Sequence, residues 1–481
     1  MQKRELRHCE QALRTIDEAD AWPRFASRVF FQDFVMPVSP ADKLVDQVAA
    51  LVEAAKAAGA DAADAVAVRG RSVGVSVRLG KVENTESSES DDISLRVFVG
   101  QSVANISANA GADIHALAER AVAMARVSPE DPYQSLADRA ALATGIADLD
   151  LYDPTELSGD ALRETALAAE EAALSVKGVT NSSGASAGFG YGGLVLATSH
   201  GFTGQYVASR FSRSVSVIAG EGTGMERDYD FSSRIHFSEL DDPEEIGQRA
   251  GERAVRRLKP QRAKTGSVNV VFDPRVSRGI AGHLASAING ASVARKTSFL
   301  RDKMGQQVAS AGITVTDDPT RLRGSASRPF DGEGVRGERM VMVEQGVLRN
   351  WFLSTSVARE LGTVTNGRGA RSGSSVNPSS TNLAIEPGEV SPQDLIAGLA
   401  SGFYVTEVFG QGVNMITGEY SRGASGFWID KGELAYPVAE VTIASNLKAM
   451  FTRMVPASDI DRNFGTAAPT LLIEGMTLAG S

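Results

Sequence analysis

The chain has 481 residues, of which 42% are hydrophobic and 22% are charged, a composition typical of a globular protein large enough for two or three domains. Its formal net charge of -10 argues against direct nucleic-acid binding, because that binding depends on Lys and Arg side chains that neutralise phosphates. The single cysteine, Cys9, excludes an intramolecular disulfide and a thiolate zinc site. No apolar run reaches the roughly 18 residues needed to span a membrane. Both observations favour a cytoplasmic location.

The patterning of the chain predicts three segments and an α+β fold. Residues 1–38 lack an apolar signal core, and we interpret them as an N-terminal extension that is either disordered or the product of an upstream start. Residues 39–262 are predicted to form a domain of helices and antiparallel strands. The linker 260–265 has no strong apolar residue, so we place a boundary there and expect residues 263–481 to form a β-rich C-terminal domain.

The N-terminal domain is predicted to begin with an amphipathic helix that ends at Gly59. Apolar residues alternate from Val73 to Leu79 and again from Ile93 to Val99, with a turn at Gly80, which predicts antiparallel strands. The acidic run 83–92 is predicted to be a solvated loop between strands.

Helices and further strands complete this domain. A long helix is predicted over 154–177, strands over 179–220, and a helix that Asp242 caps after them. Ser186 lies in a Gly-Ala-Ser-Ala-Gly pattern that matches the nucleophile elbow of serine hydrolases. An elbow requires a helix directly after the serine, whereas a strand is predicted here, so we do not expect Ser186 to be catalytic.

The C-terminal domain is predicted to open with a buried strand, Val268–Phe272, and a helix that Asp273 caps and Pro274 begins. Hairpins and short helices are predicted farther along the chain. The hairpins cover 339–352 and 427–438, and the helices cover 354–361, 392–401 and 443–454.

The helix after Asp273 is the first candidate functional site. It carries Arg278, Gly279 and His283, so His283 is the one metal-ligating side chain among these three positions. Zinc sites in proteins use three or four ligands from His, Cys, Asp or Glu. The helix is therefore predicted to hold no metal.

Six different short motifs lie in the second half of the chain. They are Thr316–Pro319, Asp331–Gly337, Glu344–Gly346, Asn366–Gly369, Gln411–Gly418 and Pro469–Gly475. Together with the helix after Asp273, these motifs resemble the TldD/PmbA family, whose active members are zinc peptidase subunits with a His-Glu-x-x-x-His helix. The resemblance implies that Arg278, Gly279 and His283 occupy degenerate zinc-helix positions, as in the PmbA branch, also called TldE.

The resemblance also implies a function shared with a partner. It implies a subunit of a TldD-type cytosolic zinc metallopeptidase complex that degrades or matures unfolded peptides, with zinc in a TldD-like partner subunit and no cofactor in this chain. The chain would be non-catalytic and would contribute a substrate groove and an assembly surface. When isolated, it could form a homodimer.

Four residues are candidates for the substrate groove. Gly332 and Gly334 belong to a run that matches the dinucleotide fingerprint, but a strand is predicted after it rather than a helix, so we expect the glycines to admit an extended peptide instead. Arg368 and Arg371 lie in the Gly- and Ser-rich segment 366–375, which is predicted to be flexible and to receive a carboxylate or extended backbone. A plain solvated loop is the alternative.

Two alternative functions stay open at this point. The chain could be an autonomous metallopeptidase whose site is assembled from distant elements, for example from His236 with Glu239, Asp241 and Asp242. It could also be a protein-binding modulator of DNA gyrase, which its acidity does not exclude.

Overall fold

The computed structural model describes residues 39–480, with side chains from Lys43 onward. The predicted N-terminal extension, residues 1–38, lies outside the described residues.

The N-terminal part of the described chain is a six-stranded antiparallel sheet with helices packed against it. The helices are α1 Ser39–Ala57, α2 Ile114–Val127, α3 Gly159–Ser175 and α4 Pro243–Arg256. The strands are β1 Ala62–Arg78, β2 Lys81–Val99, β3 Ser102–Asn109, β4 Val179–Thr198, β5 Thr203–Ala219 and β6 Glu226–Arg234. Their order in the sheet is β3-β2-β1-β4-β5-β6.

The turn between β1 and β2 is the predicted tight turn. Leu79 and Gly80 both have positive φ angles, 49° and 75°, and Arg78 pairs with Lys81, as in the primed two-residue turns of hairpins. The prediction of a loop over 83–92 was wrong, because this acidic run lies inside β2 and pairs with β1. Its side chains are exposed, so the strand has no apolar alternation by which it could be recognised.

The start of α3 differs from the prediction, whereas the position of Ser186 in a strand agrees with it. The helix predicted over 154–177 begins only at Gly159, because the Ser158 hydroxyl accepts a hydrogen bond from the Ala161 amide and caps the first turn. Ser186 lies within β4, as predicted, and its Oγ is 2.8 Å from the Ser214 Oγ on β5. No nucleophile elbow forms there.

The packing of α3 against α4 depends on glycine. A Cβ atom at Gly247 would lie 2.2 Å from the Ala169 carbonyl oxygen, so the two helices approach more closely than any side chain at this position allows. We expect Gly247→Ala to lower the free energy of unfolding by about 1–3 kcal/mol, because the helices must move apart. Gly282→Ala is the matched control: its Cβ would meet nothing within 4 Å, and we expect a gain of up to about 1 kcal/mol. Urea unfolding followed by circular dichroism measures both, and equal effects would contradict the packing argument.

The C-terminal part is rich in short strands. They are β7 Gly266–Phe272, β8 Val315–Asp317, β9 Met340–Glu344, β10 Val347–Leu348, β11 Gly369–Ser372, β12 Ser375–Pro378, β13 Leu383–Ile385, β14 Ser401–Phe409, β15 Glu419–Asp430, β16 Glu433–Asn446, β17 Met454–Pro456, β18 Thr466–Ala467 and β19 Leu471–Ala479. The helices are α5 Pro274–Ala287, α6 Gly290–Ala294, α7 Thr355–Glu360, α8 Pro392–Ala397 and α9 Leu447–Thr452. The predicted helix over 443–454 is shorter, since Ile443 belongs to β16.

Eleven of these strands form a small barrel and a second sheet, and β11 and β12 pair as a two-stranded sheet. The barrel has the order β16-β15-β14-β7-β19, and a pairing between β16 and β19 closes it, while β17 extends the sheet beyond β19. The second sheet has the order β10-β9-β8-β13-β18. The predicted α+β class, with a β-rich C-terminal part, is confirmed. The boundary at residues 262/263 falls in the connection between α4 and β7 and stays a prediction.

Candidate functional site

The candidate helix α5 begins where the sequence predicts. Asp273 caps it by accepting a hydrogen bond from the Arg275 amide at 2.9 Å, and its second oxygen accepts one from the Tyr404 hydroxyl at 2.8 Å. Burial and the neighbouring Asp273 carboxylate raise the pKa of Tyr404, which stays protonated as the donor. On the inner face of α5, Ile280 and Leu284 are buried in the largest apolar core. The helix is thus held at its first turn and along one face.

The three residues that were predicted to occupy degenerate zinc-helix positions lie in different surroundings. The Arg278 guanidinium carbon is 3.7 Å from the centre of the Phe464 ring. Gly279 is exposed, and a Cβ there would meet no atom within 4 Å. The His283 ring centre is 6.0 Å from that of Tyr420. Burial, and then the charge of Arg422, lower the pKa of His283, so its imidazole stays neutral near pH 7.

These donors do not fit a zinc ion. Arg278 has no lone pair to donate, Gly279 has no side chain, and His283 offers one nitrogen where a catalytic zinc site requires three protein ligands. Within residues 43–480, no three His, Cys, Asp or Glu side chains are grouped so that they could hold a metal ion. No catalytic step of this chain can be derived through zinc at α5.

The alternative site around His236 is not assembled either. Glu239 is 2.6 Å from Arg323, Asp241 is 2.8 Å from Arg234, and Asp242 caps α4. His236 instead contacts the Asp150 carbonyl oxygen through its Nε2 at 3.0 Å. The acids that this alternative requires are instead held by arginines or by a helix end.

The two glycines predicted to line a substrate groove are buried against the chain itself. The Gly332 amide donates to the Gly369 carbonyl oxygen at 2.7 Å. Gly334 has a φ angle of +81°, and a Cβ there would lie 2.6 Å from the Phe202 ring. Both glycines therefore allow close packing within this chain, and the neighbouring Asp331 carboxylate organises the loop by accepting the Glu333 amide at 2.8 Å.

The two arginines predicted to receive substrate are also buried. Arg368 is 0% exposed, and its Nε donates to the Asp317 carboxylate at 2.7 Å. Arg371 donates through Nε to the Gly332 carbonyl oxygen at 2.9 Å, and its Nη2 is 3.0 Å from an oxygen of Asp64. The prediction of a flexible, solvated segment was wrong, because β11 and β12 pair as a hairpin around these residues.

The sequence did not reveal the buried charge cluster to which Arg371 belongs. Asp64 on β1 accepts from the Arg96 Nε on β2 at 3.0 Å, and Glu333 lies 3.7 Å from the same guanidinium. Although burial opposes it, the charges of Arg371 and Arg96 lower the pKa of Asp64. Burial, together with the charge of Asp331, raises the pKa of Glu333, and burial also raises the pKa of Asp331. The cluster joins the N-terminal sheet to the loop that carries Asp331 and Glu333.

A cavity of about 200 Å³ lies beside the first turns of α5, between α5, β6, α4 and the loop 461–468. Five arginines line it together with aspartates and two phenylalanines. Four of the arginines are paired: Arg249 and Arg253 with Asp230 at 2.6 and 2.7 Å, Arg234 with Asp241 at 2.8 Å, and Arg275 with Asp228 at 2.9 Å. The fifth is Arg278.

Comparison with known proteins identifies the class to which this architecture belongs. Three family models match in succession: PmbA/TldA metallopeptidase domain 1 over residues 63–125, the central domain over 152–258 and the C-terminal domain over 265–480. The chain belongs to the PmbA/TldD metallopeptidase family. Within this family it is a PmbA-like member, 37% identical over 425 residues to the metalloprotease PmbA of Escherichia coli O157:H7, which covers 87% of this chain and 92% of that protein.

Solved structures share the fold. A protein from Bacteroides thetaiotaomicron, described as a candidate modulator of DNA gyrase, matches with a TM-score of 0.84 and 28% identity over 92% of this chain and 99% of that chain. TldE from Thermococcus kodakarensis matches with a TM-score of 0.80 and 21% identity over 90% of this chain and 100% of that chain. Among the described residues, no helix is long and apolar enough to cross a membrane.

Proposed function

We propose that this chain is the PmbA/TldE-like subunit of a TldD-type cytosolic zinc metallopeptidase complex that degrades or matures unfolded peptides. In this proposal the chain is non-catalytic, a TldD-like partner subunit holds the zinc, and this chain contributes substrate groove and assembly surface. The observation that supports the proposal is Arg278, a cation stacked on Phe464, at the position where the resemblance to the family implies the first zinc ligand.

An open sheet edge supports the proposed assembly surface. β3 pairs with β2 from Asp92 to Val99 and the Ala110 amide bonds to the Asp91 carbonyl oxygen, so among the described strands nothing covers the outer edge of β2 from Lys81 to Ser90. The side chains of this stretch are exposed. An open edge can accept a strand from another chain through main-chain hydrogen bonds. We propose that this edge receives a strand of the partner.

The charges along this edge favour a different chain over a second copy. If two copies paired antiparallel about Glu86, that residue would face its own counterpart and Glu83 would face Glu89. Like charges directly opposite each other destabilise a strand pair. A partner strand that carries Lys or Arg fits this edge better, and self-association of the isolated chain would have to use another surface.

Co-expression with a TldD-like subunit tests the proposed function. We expect the zinc subunit alone and this chain alone to hydrolyse an unfolded peptide slowly or not at all, and the two together to hydrolyse it in a chelator-sensitive reaction. Size-exclusion chromatography with light scattering determines whether the two chains form one complex and whether this chain alone is a monomer or a homodimer.

Two controls assign the catalytic role. A zinc subunit whose His-Glu-x-x-x-His glutamate is changed to Gln should leave the complex assembled but inactive, because the base then lies in the partner. Elemental analysis of this chain purified alone should find far less than one equivalent of zinc. Chelator-sensitive hydrolysis by this chain alone, or equal activity of the zinc subunit without it, would contradict the proposal.

A further inference from the structure

Arg278 differs from the other arginines of the cavity beside α5. Each of the other four forms an ion pair, whereas Arg278 has neither an ion pair nor a hydrogen bond with any of residues 43–480. Its guanidinium is partly removed from water, and this burial lowers the pKa of Arg278. A partly buried cation without a counter-ion gains from binding an anion, so this position suits an anionic ligand.

The stacking of Arg278 leaves its hydrogen-bond donors free. The guanidinium lies over the face of Phe464, at 3.7 Å from the ring centre, and the Phe464 ring packs edge-on against Phe231 at 5.6 Å. Stacking uses the face of the planar group, while its N–H groups point outward in the plane. The two rings therefore hold a rigid fork of donors at the cavity wall, and such a fork matches the two oxygens of a carboxylate.

The size and charge of the cavity narrow the class of ligand. The one unpaired cation, Arg278, matches a ligand with one negative charge, and Asp461 at the cavity wall disfavours a second negative charge on the ligand. A volume of about 200 Å³ leaves room for a carboxylate-bearing side chain or a chain end. A monoanionic carboxylate fits these limits better than a phosphate dianion does.

We propose that Arg278 binds a carboxylate group of an extended peptide in this cavity, so that the residue at the degenerate zinc position has become an anion anchor. The proposal rests on the proposed peptidase function, because it names the chemistry of the peptide. The carboxylate comes either from the C-terminus of the peptide or from an Asp or Glu side chain.

Binding of short peptides to the isolated full chain tests this proposal without the zinc subunit. The probes are N-acetyl-trialanine with a free C-terminal carboxylate, its C-terminal amide, and amidated versions with a central Asp or Asn. We expect either or both carboxylate peptides to bind, and the amide and the Asn peptide to bind at least about tenfold more weakly, as measured by NMR titration. The two carboxylate probes separate the chain terminus from the side chain as the source.

Variants assign the binding to Arg278. R278Q should weaken carboxylate binding about tenfold or more, whereas R256Q, which removes an arginine stacked on Phe427 outside this cavity, should not change it. R278K keeps a positive charge on a flexible side chain but lacks the planar guanidinium, so it should also weaken carboxylate binding. It replaces R278Q if that variant does not fold. Circular dichroism establishes folding.

Three outcomes would overturn the proposal. They are equal binding of carboxylate and amide peptides, no binding of any probe to the wild-type chain, and carboxylate binding that neither Arg278 variant reduces. Because the assay contains no partner and no hydrolysis, each of these outcomes can occur whether or not the co-expressed complex is active. Failure of the anchor and failure of the proposed complex are therefore separate results.

Discussion

Replacing Asp317 by Ala is expected to lower the free energy of unfolding by about 3–5 kcal/mol, because the change leaves the Arg368 guanidinium buried without its counter-ion. Both side chains are 0% exposed, so water cannot replace the lost carboxylate. Asp317 also accepts hydrogen bonds from the amide and the hydroxyl of Thr381, each at 2.7 Å, and these donors would lose their partner as well. Urea unfolding followed by tryptophan fluorescence measures the loss.

Two comparisons show whether the loss comes from the uncompensated charge. Asp302→Ala removes the acid of an exposed ion pair with Arg301 and should change stability by about 1 kcal/mol or less. Adding Arg368→Met to Asp317→Leu removes both charges and should be less destabilising than Asp317→Ala alone. A double variant as unstable as Asp317→Ala would mean that packing or the lost hydrogen bonds of Thr381, rather than the uncompensated charge, determine the effect.

The same ion pair explains why the exposure of Arg368 was predicted wrongly. Gly- and Ser-rich sequence around Arg368 is typical of an exposed loop, and an arginine in such a loop is usually solvated. The carboxylate that pairs with the buried Arg368 belongs to Asp317, which lies 51 positions earlier in the chain. Local sequence patterns contain no information about a contact over such a separation, whereas the start of α5 depends on neighbouring residues and was predicted correctly.

The cluster around Asp64 was missed for a more specific reason. The turn at Gly80 was predicted, and counting outward from the pair Arg78 and Lys81 would place Asp64 opposite Leu95. A register shift between Ser76 and Val77 moves the pairing by one residue, so that Asp64 faces Arg96. The extra residue is Glu83 on β2, because Val82 pairs with Val77 and Asn84 pairs with Ser76. A one-residue shift changes which side chains share a face, and nothing at Glu83 signals a bulge in the sequence.

Replacing Asp64 by Asn is expected to lower the free energy of unfolding by about 3 kcal/mol at neutral pH, because the buried guanidinium groups of Arg96 and Arg371 lose their shared counter-ion. The difference between the wild type and the variant should depend on pH. Since the pKa of Asp64 is lowered in the folded state, its contribution is present above the unfolded pKa of about 3.9 and is lost as pH falls through the folded pKa. Urea unfolding at a series of pH values down to about pH 3 measures this change.

Glu333→Gln is the matched control, because the difference in unfolding free energy between this variant and the wild type should change with pH in the opposite direction. The folded state raises the pKa of Glu333, so ionisation destabilises the wild type once pH rises from about 4.3 through that raised value. Glu333→Gln should therefore gain stability relative to the wild type as pH rises, while Asp64→Asn loses it over its own lower range. Parallel pH dependences for the two variants would mean that Asp64 and Glu333 do not differ in their coupling to Arg96, and the electrostatic description of the cluster would be wrong.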